Sequence, residues 1–281
     1  MIFGLKFCWR GVMKGINYYF LLLVINVVYL YSFDSSNREF YRILEGYYSG
    51  KIEELSTKNG EDAYIYRLNN FKETLGEMDP YVKLYFINLA DYQIARLLQN
   101  KEGRKNSSKS YSVLKSTHKA LLEFITSIKF KDLDKTVQSD VYRILGDVNL
   151  MLLRYMGGSA LSKLASEARG YFETSLKINS KNSFANTSIA SWYLYAPRIA
   201  GGDPNKTLSF AQLGLKYSQT DVEKYFANIW ISQAYFLLRN QEESLKYIIK
   251  AADIFPDGTF HKMVLEQNKS GNLFMDFPIK N

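Results

Sequence analysis

The chain has 281 residues, is 47% hydrophobic and 15% aromatic, and has only five prolines. That is enough for one sizeable core and too apolar for intrinsic disorder. The net charge of +8 is spread without a dense basic run, which reads as solvated surface rather than a nucleic-acid footprint. Cys8 is the single cysteine, which excludes a disulfide framework or a cysteine metal site in the body of the protein.

Residues 1–36 carry a targeting signal. Lys6, Arg10 and Lys14 precede an apolar run from Ile16 to Phe33, which Asp34-Ser35-Ser36 then ends. A basic region, an apolar stretch and a polar exit, in that order, mark a secretory signal peptide or a retained signal anchor. Positive charge stays on the cytoplasmic side, so the chain after Phe33 is expected to be extracytoplasmic, periplasmic in a bacterium. Met13 offers a second start that leaves a shorter signal. The segment is also the only expected membrane contact, and only if it is left uncleaved.

From Asn37 onward the pattern is helical, and residues 37–268 are expected to form one domain ahead of a tail at 269–281. Arg38 to Tyr48 and Asp62 to Met78 form an irregular opening pair. Asp79-Pro80 starts the next helix, through Leu98, with the aspartate as cap and the proline at the first position. A polar loop at Asn100 to Lys109 leads to a helix over Tyr111 to Lys129. Further helices follow at Asp134 to Tyr155, Ser159 to Ile178, Ser183 to Tyr195 and Asp203 to Tyr217. The last pair lies within Tyr225 to Gly258, before a short helix near Phe260 to Gln267.

The last pair sets a frame. Ile231, Ser232 and Tyr235 come first, then Ser244, Ile248 and Ala251, then Pro256. This is the order of a tetratricopeptide (TPR) repeat of about 34 residues. Small residues let the helices approach and larger ones fill the groove between them. Ile189-Ala190-Tyr193 with Thr207, Ala211 and Gly214 repeat it, as do Leu145-Gly146 with Ala168, Phe172 and Ser175. Leu89-Ala90 with Ala120-Leu121 is a fainter echo. The expected fold is all-α, a TPR-like solenoid of helical hairpins. Met156-Gly157-Gly158 and Ala196 to Pro204 enlarge two of its turns.

The export signal, the array of about four repeats and the YAPRIAGGDPNKTLSFAQLGL stretch together resemble the periplasmic TPR protein associated with TRAP-type solute transporters. That resemblance implies trimeric assembly around a central pore and a periplasmic solute-binding protein as partner. Family members are often lipid-anchored, whereas here no cysteine follows the apolar run.

Catalytic signatures are missing from the sequence. His118 and His261 are the only histidines, sit on separate elements and have no cysteine partner, so neither a metal site nor a cofactor is expected. The glycine pairs lack the strand and Lys-Ser/Thr of a phosphate loop. The expectation is a non-enzymatic scaffold for protein–protein interaction. The alternative is a carrier for a small apolar solute inside the solenoid or an oligomer pore.

The binding face is expected on the inner side of the first helices. Its exposed positions are Arg143, Asp147 and Leu150, then Thr187, Ser191 and Tyr195, then Ile229, Gln233 and Phe236. That mixed lining suits an extended peptide or a moderately apolar ligand. Leu150, Tyr195 and Phe236 equally fit packing against the next helix. Trp192 and Trp230 are assigned to the core.

Overall fold

Short polar side chains start the helices by satisfying backbone N–H groups that have no intrahelical partner. Asp79 accepts from Tyr81 and Val82 at 2.9 and 3.2 Å. Asp203 does the same for Asn205 and Lys206 ahead of Pro204, and Thr220 with Glu223 closes a capping box. At the far end of the array, Phe255 leaves helical geometry before Pro256, as a residue preceding proline must.

The computed structural model describes residues 33–50, 60–102 and 108–274, and every α-helix, 3₁₀ turn and loop among them is free of strand pairing. Most of the expected signal segment and residues 275–281 of the expected tail lie outside the described residues. The helices are α1 (residues 33–48), α2 (Gly60–Thr74), α3 (Pro80–Glu102), α4 (Lys109–Thr126), α5 (Lys135–Leu152) and α6 (Gly158–Ile178). They continue with α7 (Ser183–Tyr195), α8 (Pro204–Tyr217), α9 (Asp221–Leu237), α10 (Gln241–Ile254) and α11 (Phe260–Lys269). Residues 33–36, expected to belong to the signal, form the first turn of α1.

Four antiparallel hairpins, α3/α4, α5/α6, α7/α8 and α9/α10, are each extensively packed, and α8 packs on α9 as extensively as α3 on α4. Each second helix also packs on the first helix of the next hairpin, and the first helices touch one another in succession. This is the TPR solenoid, with α3, α5, α7 and α9 as its inner layer and α11 closing the end against α9 and α10.

The register is regular. Ser110, Leu114 and Thr117 on α4 are buried at the same spacing as Ala168, Phe172 and Ser175 on α6. Thr207, Ala211 and Gly214 on α8 and Ser244, Ile248 and Ala251 on α10 complete the series. The first hairpin is therefore a full repeat, framed on Ser110 and not on Ala120-Leu121. Those two residues belong to the extra turns of an 18-residue helix, which shifted the apparent match. Small residues matter here because the helices nearly touch. A Cβ added at Gly146 would lie 2.4 Å from the Phe172 ring. Serines bond across the same seams, with Ser139 Oγ donating to the Ser175 carbonyl at 3.0 Å and Ser232 Oγ to the Ser244 carbonyl at 2.8 Å.

The opening pair behaves differently from a stacked repeat. Phe40 packs on Phe71 and Tyr47 stacks on Tyr64, at 5.7 and 4.6 Å, so α1 and α2 are antiparallel neighbours. Yet α1 also runs across the inner layer. Its rings meet Phe86 of α3, Phe184 of α7 and Phe226 of α9.

Candidate partner-binding groove

The inner faces of α3, α5, α7 and α9 form a groove, and α1 lies in it. Phe40, Leu44 and Tyr48 recur every fourth residue and so share one face of α1. That face, with Tyr41, turns toward the groove. Tyr41 stacks on Phe184 with centroids 6.2 Å apart and planes 7° apart, and Tyr48 meets Phe226 edge-on at 4.7 Å. Aromatic pairs of this geometry contribute roughly 0.5–1.5 kcal/mol each beyond the area they bury. Between α1 and the groove floor a cavity of about 90 Å³ stays open. Every residue lining it comes from α1 or the four first helices.

The floor is charged. Arg143 donates from Nε and Nη2 to the two Asp140 oxygens at 2.8 and 2.7 Å, and from Nη1 to Asp147 at 3.0 Å. Tyr85 adds a hydrogen bond to Asp140 at 3.0 Å, and the Phe184 ring centroid lies 5.5 Å from the guanidinium carbon. Burial opposes the charge on Arg143, but Asp140 and Asp147 outweigh it and hold the guanidinium well above its ordinary range. Burial pushes the Asp147 carboxyl up, and Arg143 offsets this only in part.

Arg143, Asp147, Thr187, Ser191 and Tyr195 all line the cavity, as does Leu150. The structure therefore brings together six of the nine expected inner-face residues. Ile229, Gln233 and Phe236 lie on α9 outside the cavity. One expectation is corrected: these positions were read as exposed, whereas Arg143 is 4% accessible, Asp147 9%, Thr187 4%, and Ile229 and Gln233 0%. The physical reason for Arg143 and Asp147 is that α1 lies over the floor, and for Gln233 that Phe274 lies against it, while Thr187 also turns its methyl toward Gly214 of α8. Arg143 is consequently part of the folded interior.

At that end Tyr195 Oη donates to the Phe274 carbonyl at 2.9 Å, and Phe274 N–H donates to Gln233 Oε1 at 3.2 Å. Trp192 is core, its indole N–H bonded to the Ala165 carbonyl at 2.9 Å. Trp230 is buried too, but its ring also lines the cavity. His261 is a structural residue: its Nδ1 lies 3.1 Å from the Tyr225 hydroxyl, which also accepts its backbone N–H at 3.0 Å. Burial lowers the His261 pKa. The sequence reading missed Asp140 and the groove-facing role of α1. The signal for the second was present, because a helix carrying Phe40, Tyr41, Leu44 and Tyr48 without the repeat pattern must bury that face elsewhere.

No family model matches the sequence, and no curated protein matches it. Solved structures similar to the chain include two of MamA. One is 16% identical over 72% of this chain and 92% of that one, with a TM-score of 0.36. The other is 15% identical over 83% and 96%, also with a TM-score of 0.36. A structure of Pseudomonas aeruginosa PilF is 12% identical over 81% and 97%, with a TM-score of 0.39. At such identity and overlap, the solenoid assignment rests on the helix packing of this chain itself.

Proposed function

We propose that this protein is a non-enzymatic TPR scaffold that holds a polypeptide partner in its inner groove on the extracytoplasmic side of a membrane. The observation that carries the reading is that the groove already holds polypeptide. A helix lies along its floor, and Phe274 is held at its end through main-chain hydrogen bonds. Both are recurring modes of peptide recognition. The cavity left over is about 90 Å³, against roughly 300–1,000 Å³ for small-molecule sites, which favours the scaffold over the solute carrier. A transporter's solute-binding component is the partner that the family resemblance suggests.

Photo-crosslinking from the native envelope tests this. A crosslinker placed at Ser191, on the cavity wall, should capture a defined protein, and one at Lys246 on α10 should not. Capture from Lys246 alone would move the binding surface to the outer layer, and a co-purifying organic acid or lipid would favour the carrier. Location is tested separately, by fusing residues 1–36 to a reporter that works only outside the cytoplasm. An active reporter is expected, and an inactive cytosolic product made in good yield overturns the assignment.

A further inference from the structure

Beyond α11 the chain lays Leu273 and Phe274 against the core at the α7–α9 end of the groove. Phe274 is gripped three ways. Its carbonyl accepts from Tyr195, its N–H donates to Gln233, and its ring meets Phe260 edge-on at 5.0 Å. Two of these contacts come from successive first helices and act on the main chain, and the third, from Phe260 of α11, requires an aromatic side chain.

Gln233 offers more than this tail uses. Its side chain is wholly buried, and its Nε2 has no hydrogen-bond partner. The orientation of the amide is fixed by Phe274, whose N–H needs the oxygen. A primary amide both accepts and donates, so Gln233 is suited to take an N–H and a C=O from one extended strand. A buried donor left without an acceptor is costly, and a ligand that supplies the missing carbonyl gains over the tail. The tail is also easily displaced. Residues 272–274 are outside any helix, so leaving the seat unwinds nothing, whereas α1 would have to expose Phe40, Ile43 and Leu44.

We infer that Tyr195, Gln233 and Phe260 form a docking seat for an extended peptide bearing an aromatic side chain, and that Phe274 fills this seat in cis until such a peptide displaces it. This deepens the groove reading of the previous subsection and rests on it.

The test uses the full chain and a fluorescent peptide of residues 270–277, followed by anisotropy. Phe274→Ala should bind the peptide at least about tenfold more tightly than the unaltered chain, because the internal competitor is lost. In that background, Tyr195→Phe and Gln233→Met should each weaken binding about fivefold or more, with helicity and thermal midpoint preserved. The same peptide with alanine at position 274 should fail to compete. Equal affinity for the unaltered chain and Phe274→Ala overturns the proposal, as does binding that ignores both seat variants. If Gln233→Met does not fold, Tyr195→Phe decides alone, since it removes only a hydroxyl. Concentration-dependent self-association that Phe274→Ala abolishes would make a second copy the occupant and overturn the assignment to another protein. Failure here with capture from Ser191 intact removes this seat and leaves the groove function standing; failure of both removes the function.

Discussion

At the α5/α6 seam one added carbon on Gly146 would sit 2.4 Å from the Phe172 ring, whereas beneath α1 about 90 Å³ remains unfilled. The seams are made from Gly, Ala, Ser and Thr at fixed spacing, with hydroxyls bonding to backbone across them. The groove is made from Tyr, Phe and Trp rings around a buried Asp140–Arg143–Asp147 set. Small residues leave no slack, so the seams set the shape of the solenoid. Large rings over charges meet at fewer points, so the groove accepts a cover while leaving part of its floor unfilled. Stability should respond to volume at the seams and to charge in the groove.

The largest effect should come from charge. Arg143→Met leaves Asp140 and Asp147 buried without their counter-charge, and breaking such a set typically costs about 3–5 kcal/mol. Urea unfolding followed by circular dichroism measures it. Adding Asp140→Asn and Asp147→Asn to that variant should recover part of the loss, because no unpaired charge then remains. A loss below about 1 kcal/mol would mean that the floor is wet and the comparison is wrong.

Volume comes next. Ala251 is fully buried on α10, and Ala251→Trp should overpack the seam by about 1–3 kcal/mol or more. The same denaturation series reads it. A tryptophan absorbed there without cost would show that the seams have slack after all.

A smaller effect separates the regions by pH. Burial holds Asp147 above the ordinary carboxylate value in the folded state, so just above that ordinary value the folded chain keeps a proton the unfolded chain has lost. The resulting stability is fully present below the unfolded pKa and is lost as pH rises through the folded one. Asp147→Asn should therefore lose less stability than the unaltered chain as pH rises from about 4 to 7. Glu223, also raised by burial, and Glu39, lowered by its hydrogen bond to Arg42, contribute equally to both proteins and cancel. Parallel stability curves would mean that Asp147 does not titrate in this window.

These regions were also unequally legible. Seam residues follow from local pattern, because their burial is set by the neighbouring helix of the same hairpin. Ala168, Phe172 and Ser175 could thus be placed from the spacing of Ser244, Ile248 and Ala251. The hairpin of α3 and α4 was blurred only because α4 continues past its repeat positions to Leu121 and Phe124. Caps at Asp79 and Asp203 were legible because aspartate before proline satisfies local donors. Of the expected inner-face residues, six line the cavity, and the exposure expected for Arg143, Asp147, Thr187, Ile229 and Gln233 is wrong. Nothing near Arg143 or Gln233 in sequence indicates that α1 and Phe274 will cover them. Burial by a distant segment leaves no local trace except on the covering segment, whose aromatic spacing did show it.

The smallest effect tests the register on which both regions depend. In the repeat frame Lys246 lies two residues from each of the buried Ser244 and Ile248 of α10, so about 200° around the helix from both and on the face away from the seam. Its ammonium pairs with Glu243 at 2.8 Å, one turn away, and its side chain is 53% accessible. The hydrogen bond to Glu243 raises its pKa, yet a pair this exposed is screened by solvent and also carries the entropy of two ordered side chains. Lys246→Ala should therefore leave the thermal midpoint unchanged within error at moderate salt, while Ala251→Trp, little more than a turn further along, lowers it clearly. Comparable shifts in the two variants would mean that α10 is rotated from its assigned register. The seams and the groove would then have to be reassigned together, because the face α10 presents to α9 also fixes which face of α9 turns inward.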